Sequence, residues 1–297
     1  MRICIVSPSG SIDPLYIDRA AEVLCGWGHT VKIAPHAKGQ YGRYAASDDE
    51  RVADVCAALH DAEIDAILCA RGGYGLQRII DKLPPITKPV IGFSDITALH
   101  LLCAQMGQPS LHGLMCKHIA LAEESSNTPL YATYQRALRY EPLTYTIASH
   151  RENRQGKAKG ILIGGNLSVL YGLQGTPYGL TALLDAHNHE NFILFIEDIA
   201  ERHYHIDRMM NNLRLSGVLA GLSGLIVGQF SDCEDDPSMG ESIQKTIRHA
   251  VEAYGCPVVF DFPAGHVAQN YPLYLNAPVE ISVDAYSSTI LSCFKSS

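Results

Sequence analysis

The chain has 297 residues, with 23 Lys and Arg against 31 Asp and Glu, a formal net charge of −8, and apolar residues make up 47% of it. That is room for one large domain or two ordinary ones with a true core, and it is too apolar for a disordered or fibrous protein. A pI near 5.9 and the lack of any Lys/Arg-rich run argue against nucleic acid as a partner, which demands a dense basic face.

The opening Met1-Arg2-Ile3-Cys4-Ile5-Val6-Ser7 offers only a short apolar run, without the longer core and small-residue cleavage site of a signal peptide, so a cytoplasmic location is expected. No stretch has the length and hydropathy of a membrane span, and no membrane partner is expected. Nine cysteines (Cys4, Cys25, Cys56, Cys69, Cys103, Cys116, Cys233, Cys256, Cys293) are scattered and never spaced Cys-x-x-Cys. They suit free thiols in a reducing compartment, with neither disulfides nor a thiolate zinc site.

Short apolar runs alternate with amphipathic stretches over the first 107 residues, the signature of βαβ units in a mostly parallel sheet. Strands are predicted at Ile3–Val6, Thr30–Ala34, Ile64–Ala70 and Pro89–Ile91. Helices are predicted at Pro14–Cys25, at Asp48–Leu59 with Ser47 or Asp48 as cap, from Gly75 to about Leu83, and at Ile96–Met106. The pattern weakens between Ser125 and Lys159, with a short helix near Thr133–Arg139 and then a charged stretch without apolar period. Residues 1–150 are therefore predicted as one domain, 151–159 as a linker and 160–297 as a second domain.

The second half resumes with a strand at Gly160–Ile163, the turn Gly164-Gly165-Asn166, a helix through Leu173, and strands at Phe192–Ile196, Gly224–Gly228 and Pro257–Phe260. Helices Tyr204–Leu213 and Ser242–Tyr254 lie among them, and antiparallel strands are predicted after Leu273. The fold class is thus α/β, a parallel-sheet domain followed by an α/β domain with a mixed sheet.

Chemistry could sit at four places. Ser94, in Ile91-Gly92-Phe93-Ser94-Asp95-Ile96, lies where a buried strand turns into a helix, and it reads either as a nucleophile lifted out on a strained turn or as a helix cap. Arg71-Gly72-Gly73-Tyr74-Gly75 follows another strand; it could supply bare amides to an oxyanion or be a tight turn, and it does not match a phosphate-binding loop. Glu197 and Asp198 end an apolar strand, where a carboxylate could orient a histidine or simply favour the next helix's N-terminus. His266, beside Gly265 on a post-strand loop, is placed for acid–base work or is an ordinary loop residue, with His100 and His112 as rivals. Metal binding is set aside: His187-Asn188-His189 and His203-Tyr204-His205 share a face only on a strand and lack helical ligand spacing, although His203 and His205 sit near enough to Glu197 in sequence to touch a substrate.

Together and in order, Ser7-Pro8-Ser9-Gly10, Arg71-Gly72-Gly73-Tyr74-Gly75, Gly92-Phe93-Ser94-Asp95-Ile96-Thr97, Gly164-Gly165-Asn166-Leu167, Glu197-Asp198-Ile199, Ile206-Asp207-Arg208-Met209 and Gly265-His266 resemble the LD-carboxypeptidase family of serine peptidases. The resemblance implies a Rossmann-like N-terminal domain carrying Ser94, a C-terminal domain carrying Glu197 and His266, a catalytic triad of those three residues, and an oxyanion hole at Gly72 and the Asp95 amide. It further implies release of C-terminal D-alanine from murein tetrapeptides in the cytoplasm, no metal or organic cofactor, and a homodimer. A free terminal carboxylate would call for a cation, and Arg71 and Arg202 are the candidates. A microcin-immunity-type peptidase acting on an aminoacyl-nucleotide linkage is the nearest alternative. It would be helped by an aromatic platform, yet the only tryptophan, Trp27, is far from the triad in sequence. A non-catalytic two-domain protein binding a peptide or sugar is the other. Two departures from the family pattern, Leu114 after Gly113 and Tyr274-Leu275-Asn276 after Leu273, are expected to affect the substrate cleft and not the triad.

Overall fold

The structure, a computed structural model, describes residues 1–124, 128–187 and 191–292. Cys293 and the Asn188-His189 part of the first histidine pair lie outside them. The first sheet is built from β1 (Arg2–Val6), β2 (Thr30–Ile33), β3 (Ala66–Cys69), β4 (Val90–Gly92) and β5 (Ser110–His112), all parallel in the order β2-β1-β3-β4-β5. Its central strands are apolar and buried along their length because helices cover both faces. Those helices are α1 (Pro14–Gly26), α2 (Asp48–His60) and α3 (Thr97–Gln105), with α4 (Cys116–Ala120) and α5 (Pro129–Leu138) beyond β5. Local chemistry starts them: Asp13 caps α1 ahead of Pro14, and Ser47 and Glu50 close a capping box on α2.

The second sheet runs β10-β9-β8-β7-β12-β13-β6. Here β6 (Leu143–Ala148), β12 (Ala277–Val283) and β13 (Ser287–Ser292) are antiparallel to their neighbours, while β7 (Gly156–Asn166), β8 (Phe192–Ile199), β9 (Leu222–Ser231) and β10 (Val258–Val259) are mutually parallel. Helices α6 (Leu167–Leu173), α7 (Leu180–Ala186), α8 (His203–Leu215) and α9 (Ile243–Ala250) accompany it. A late strand, β11 (Leu273–Leu275), leaves this half and pairs antiparallel with β5 at the edge of the first sheet.

The α/β class and the mixed second sheet agree with the sequence reading, and several elements differ. A fifth parallel strand, β5, was not predicted, because two of its three residues, Ser110 and His112, are polar. They are buried there because His100 and Asn270 bond to them. The helix predicted from Gly75 to Leu83 is two 3-10 turns, Leu76–Arg78 and Ile80–Lys82, a segment stopped by Pro84-Pro85. Segment 151–159 is no free linker: Gly156–Lys159 begin β7 and pair with Glu280–Val283. Lys157 and Lys159 look charged and irregular in sequence because they alternate outward from that exposed stretch of ladder.

Candidate active site

The carboxyl ends of β3, β4 and β5 face those of β7 and β8, and the residues singled out above gather between them. After β4, Phe93 is extended and Ser94 adopts a φ of +66°, a left-handed conformation uncommon for a residue with a side chain. Residues Ser94–Ile96 then form a 3-10 turn that runs into α3. Two bonds from His100 hold the strand end, with Nε2–H donating to the Gly92 carbonyl at 3.0 Å and Nδ1 accepting from Ser110 Oγ at 2.9 Å. Burial keeps His100 neutral, its pKa pushed down to about 4. The rival histidine is a brace for the turn.

The loop after β3 reaches the same turn. A Cβ on Gly72 would lie 2.8 Å from Cβ and 3.1 Å from Oγ of Ser94, so only glycine lets this backbone approach. Gly10 N–H donates to the Gly72 carbonyl at 3.0 Å. The buried Asp95 carboxylate accepts from Ser9 Oγ and from Leu76 N–H (3.0 Å), tying the first loop and the third-strand loop to the serine turn. Burial raises the Asp95 pKa, although those donors pull the other way.

On β8 the pleat separates the two carboxylates. Glu197, fully buried, accepts at Oε2 from His266 Nδ1–H at 2.8 Å. This tautomer leaves Nε2 of His266 free to accept a proton. Burial disfavours the imidazolium, but the Glu197 hydrogen bond and charge, with Asp198 behind it, outweigh burial and raise the His266 pKa above its ordinary value. Asp198 faces away and accepts from Asn166 Nδ2 (2.9 Å), Ser168 N–H (2.8 Å), Ser168 Oγ (3.3 Å) and Ile199 N–H (2.9 Å). Burial and then the Glu197 charge lift its pKa to about 7. The histidine thus meets Glu197, while Asp198 braces the Asn166 turn.

His266 follows Gly265, whose φ is +127° and whose added Cβ would lie 2.9 Å from Glu197 Oε2, so a side chain there would displace the histidine's partner. Buried Asn270 fastens this loop across the sheets: its Oδ1 accepts from Gly265 N–H at 2.9 Å and from His112 Nε2–H at 3.2 Å. Burial pushes the His112 pKa down to about 3, so the second rival histidine is a neutral anchor.

Ser94 and His266 line one cavity of about 760 Å³, together with Gly72, Phe93 and Arg71. Phe93 lies with its ring centroid 5.0 Å from that of His266. Ser94 also borders a smaller cavity of about 280 Å³ on the side of Asn166, Asp198 and Tyr74. Arg71 is exposed and donates from Nη1 to the Ser11 carbonyl at 2.6 Å. Arg202, exposed ahead of α8, lines neither cavity, so the structure does not bring this second expected cation to the site. His203 is held by Thr246 Oγ1 (2.8 Å) and Asp236 N–H (3.2 Å), and His205 by Glu201 (2.8 Å); these are structural pairings away from both cavities. Trp27 packs on Tyr131 and Tyr134 and provides no platform in the cavities. The sequence reading missed Lys117, His118, Asp13 and Tyr16 in the larger cavity. The first two follow β5, and recognising that strand would have pointed to them, since ligands gather beyond the carboxyl ends of parallel strands.

Comparison with known proteins identifies the class. The N-terminal domain of LD-carboxypeptidases matches residues 3–113 and the C-terminal domain of LD-carboxypeptidases matches residues 159–281. The chain belongs to the LD-carboxypeptidase family, and it is a peptidase by that membership. It is 32% identical over 96% of its length to a Bacillus subtilis protein named "Probable murein peptide carboxypeptidase", covering 90% of that protein. It is 26% identical to the murein tetrapeptide carboxypeptidase of Pseudomonas aeruginosa, covering 91% of this chain and 89% of the other. In fold it matches the muramoyltetrapeptide carboxypeptidase of Oxalobacter formigenes with a TM-score of 0.86 at 23% identity over 100% of both chains. The microcin self-immunity protein MccF, solved with aspartyl sulfamoyl adenosine, matches with a TM-score of 0.81 at 20% identity over 99% of this chain and 96% of the other.

Proposed function

We propose that this chain is a cytoplasmic serine carboxypeptidase that hydrolyses an L,D amide and releases C-terminal D-alanine from murein tetrapeptides, in the recycling of cell-wall fragments. The observation that carries the reading is the Glu197–His266 pair at 2.8 Å, sharing a cavity with a left-handed Ser94. In this reading Ser94 Oγ attacks the carbonyl carbon while His266 Nε2 takes its proton, and Glu197 holds the imidazole tautomer and stabilises the imidazolium. The backbone N–H groups of Gly72 and Asp95 receive the oxyanion. Such donors are each worth roughly a hundred- to thousandfold in rate. Collapse of the tetrahedral intermediate breaks the C–N bond as His266 returns the proton to the departing amine. Water, deprotonated by the same histidine, then cleaves the ester on Ser94.

The murein substrate is supported by the names of the Bacillus and Pseudomonas relatives. The homodimer rests on resemblance alone and is checked by sedimentation. The test of function is D-alanine release from a purified murein tetrapeptide, measured beside a pentapeptide and an aminoacyl sulfamoyl nucleoside. Release from the tetrapeptide by the wild type and its loss in Ser94→Ala are expected. Full activity in Ser94→Ala overturns the nucleophile, and preferential cleavage of the nucleoside compound overturns the substrate.

A further inference from the structure

Lys117 projects from the first turn of α4, just beyond β5, the strand beside the one that delivers Ser94. Its helix is tied to the other side of the cavity, because Cys116 N–H donates to the carbonyl of Ala70, the residue before Arg71, at 3.2 Å. Lys117 and Arg71 therefore stand around one mouth, and both line the larger cavity. The two cations differ in how far they are committed. Arg71 is tethered to the Ser11 carbonyl, whereas Lys117 makes no ion pair or hydrogen bond among the described residues, its Nζ lying 6.0 Å from the centre of the Tyr16 ring.

The orientation of the substrate follows from the histidine. His266 lines the larger cavity and not the smaller one. The group that protonates a leaving amine must lie on the leaving-group side of the nucleophile, so the departing residue occupies the larger cavity. A C-terminal amino acid carries its carboxylate one carbon from that amine, so the anion enters the cavity that holds Arg71 and Lys117. Asp13 is the one carboxylate lining it among the described residues, and that side chain is turned to the α1 cap through Leu15 N–H at 2.9 Å. His118, also at the wall, is kept neutral by burial, its pKa pushed to about 4, and adds no charge.

We infer that Lys117 binds the free C-terminal carboxylate of the departing residue and thereby restricts the peptidase to chain ends. This inference rests on the proposed carboxypeptidase reading. A charge-assisted contact of this kind at a partly open site corresponds to about tenfold in discrimination.

The experiment compares a tetrapeptide ending in D-alanine with the same peptide ending in D-alanine amide, by kcat/KM for the wild type and by calorimetric binding to Ser94→Ala. The acid should be preferred by about tenfold or more, Lys117→Met should bring the acid-to-amide ratio close to one, and Lys117→Arg should restore it. The preference should also shrink in high salt. If Lys117→Met weakens acid and amide equally, or leaves their ratio intact, the inference is overturned. A wild type that cleaves neither peptide overturns the carboxypeptidase reading instead, and the acid-to-amide binding ratio on Ser94→Ala still decides the role of Lys117.

Discussion

Gly72 stands so close to Ser94 that a methyl group on the glycine would lie 2.8 Å from the serine Cβ. Two loops from neighbouring strands thus meet with a backbone on one side and a reactive side chain on the other. The arrangement can be probed without touching the residues that exchange protons.

Gly72→Ala should push the Arg71–Gly75 loop away from Ser94, displacing the amide from the oxyanion position. We expect kcat to fall by about a hundredfold or more. The cavity edge is partly open to solvent, so thermal unfolding should drop by only about 2–4 °C. An alanine variant with full kcat would remove Gly72 from the oxyanion hole.

Glu197→Gln removes the charge that raises the His266 pKa while leaving the burial that lowers it. Only neutral His266 can accept the serine proton, so the acid limb of kcat/KM in the wild type should lie above the ordinary histidine value and move to lower pH in the variant. The maximal rate should fall by about 10³- to 10⁴-fold, as when a triad histidine loses its carboxylate. A pH profile whose acid limb does not shift would detach Glu197 from His266.

Asp198→Asn is expected to act on stability more than on the chemical step. The folded-state pKa of Asp198 is raised to about 7, whereas an unfolded aspartate titrates near 4. Between those values the folded chain binds the extra proton, so this group's contribution to stability is full in acid and is lost as pH rises towards 7. Urea unfolding across that interval should show a steeper decline with pH for the wild type than for the variant. Parallel curves would contradict the raised pKa. If Asp198→Asn abolishes catalysis while Glu197→Gln does not, the catalytic carboxylate is the other one.

Asn270→Ala strands two buried donors, His112 Nε2–H and Gly265 N–H. At about 1–3 kcal/mol for each buried group left unpaired, a loss of about 2–6 kcal/mol in unfolding free energy is expected. The loop bearing His266 should loosen as well, lowering kcat with less effect on KM. Unchanged stability would mean that the cross-sheet bridge carries no weight.

The sequence made the parallel sheet readable because strands such as Ile3–Val6 and Phe192–Ile196 are apolar throughout, and buried central strands must be. Ser94, Gly72 and His266 were legible as loop residues past such strands, and Glu197 as a carboxylate near the end of one. The choice between Glu197 and Asp198 was not legible from the strand itself, since adjacent strand residues face opposite ways and the local sequence does not say which face meets His266; there only the resemblance to the family pointed to Glu197. Lys117 escaped for a related reason. It follows a three-residue strand whose Ser110 and His112 look like turn residues until His100 and Asn270 are seen to satisfy them. Arg202 failed because nearness in sequence to Glu197 did not carry its side chain from the start of α8 into a cavity.

The strand exchange between the sheets bears on how the molecule is made. Synthesis delivers β1 to β5 first, yet the edge beside β5 is closed only by Leu273–Leu275, and Leu143–Ala148 must wait for β13. A nascent chain therefore carries an open sheet edge beside β5 until Leu273–Leu275 emerge, and such long-range pairing is slow. His266 arrives in the same late stretch. A growing chain that has not yet reached His266 lacks the complete serine, glutamate and histidine set, so until then the peptidase is unarmed.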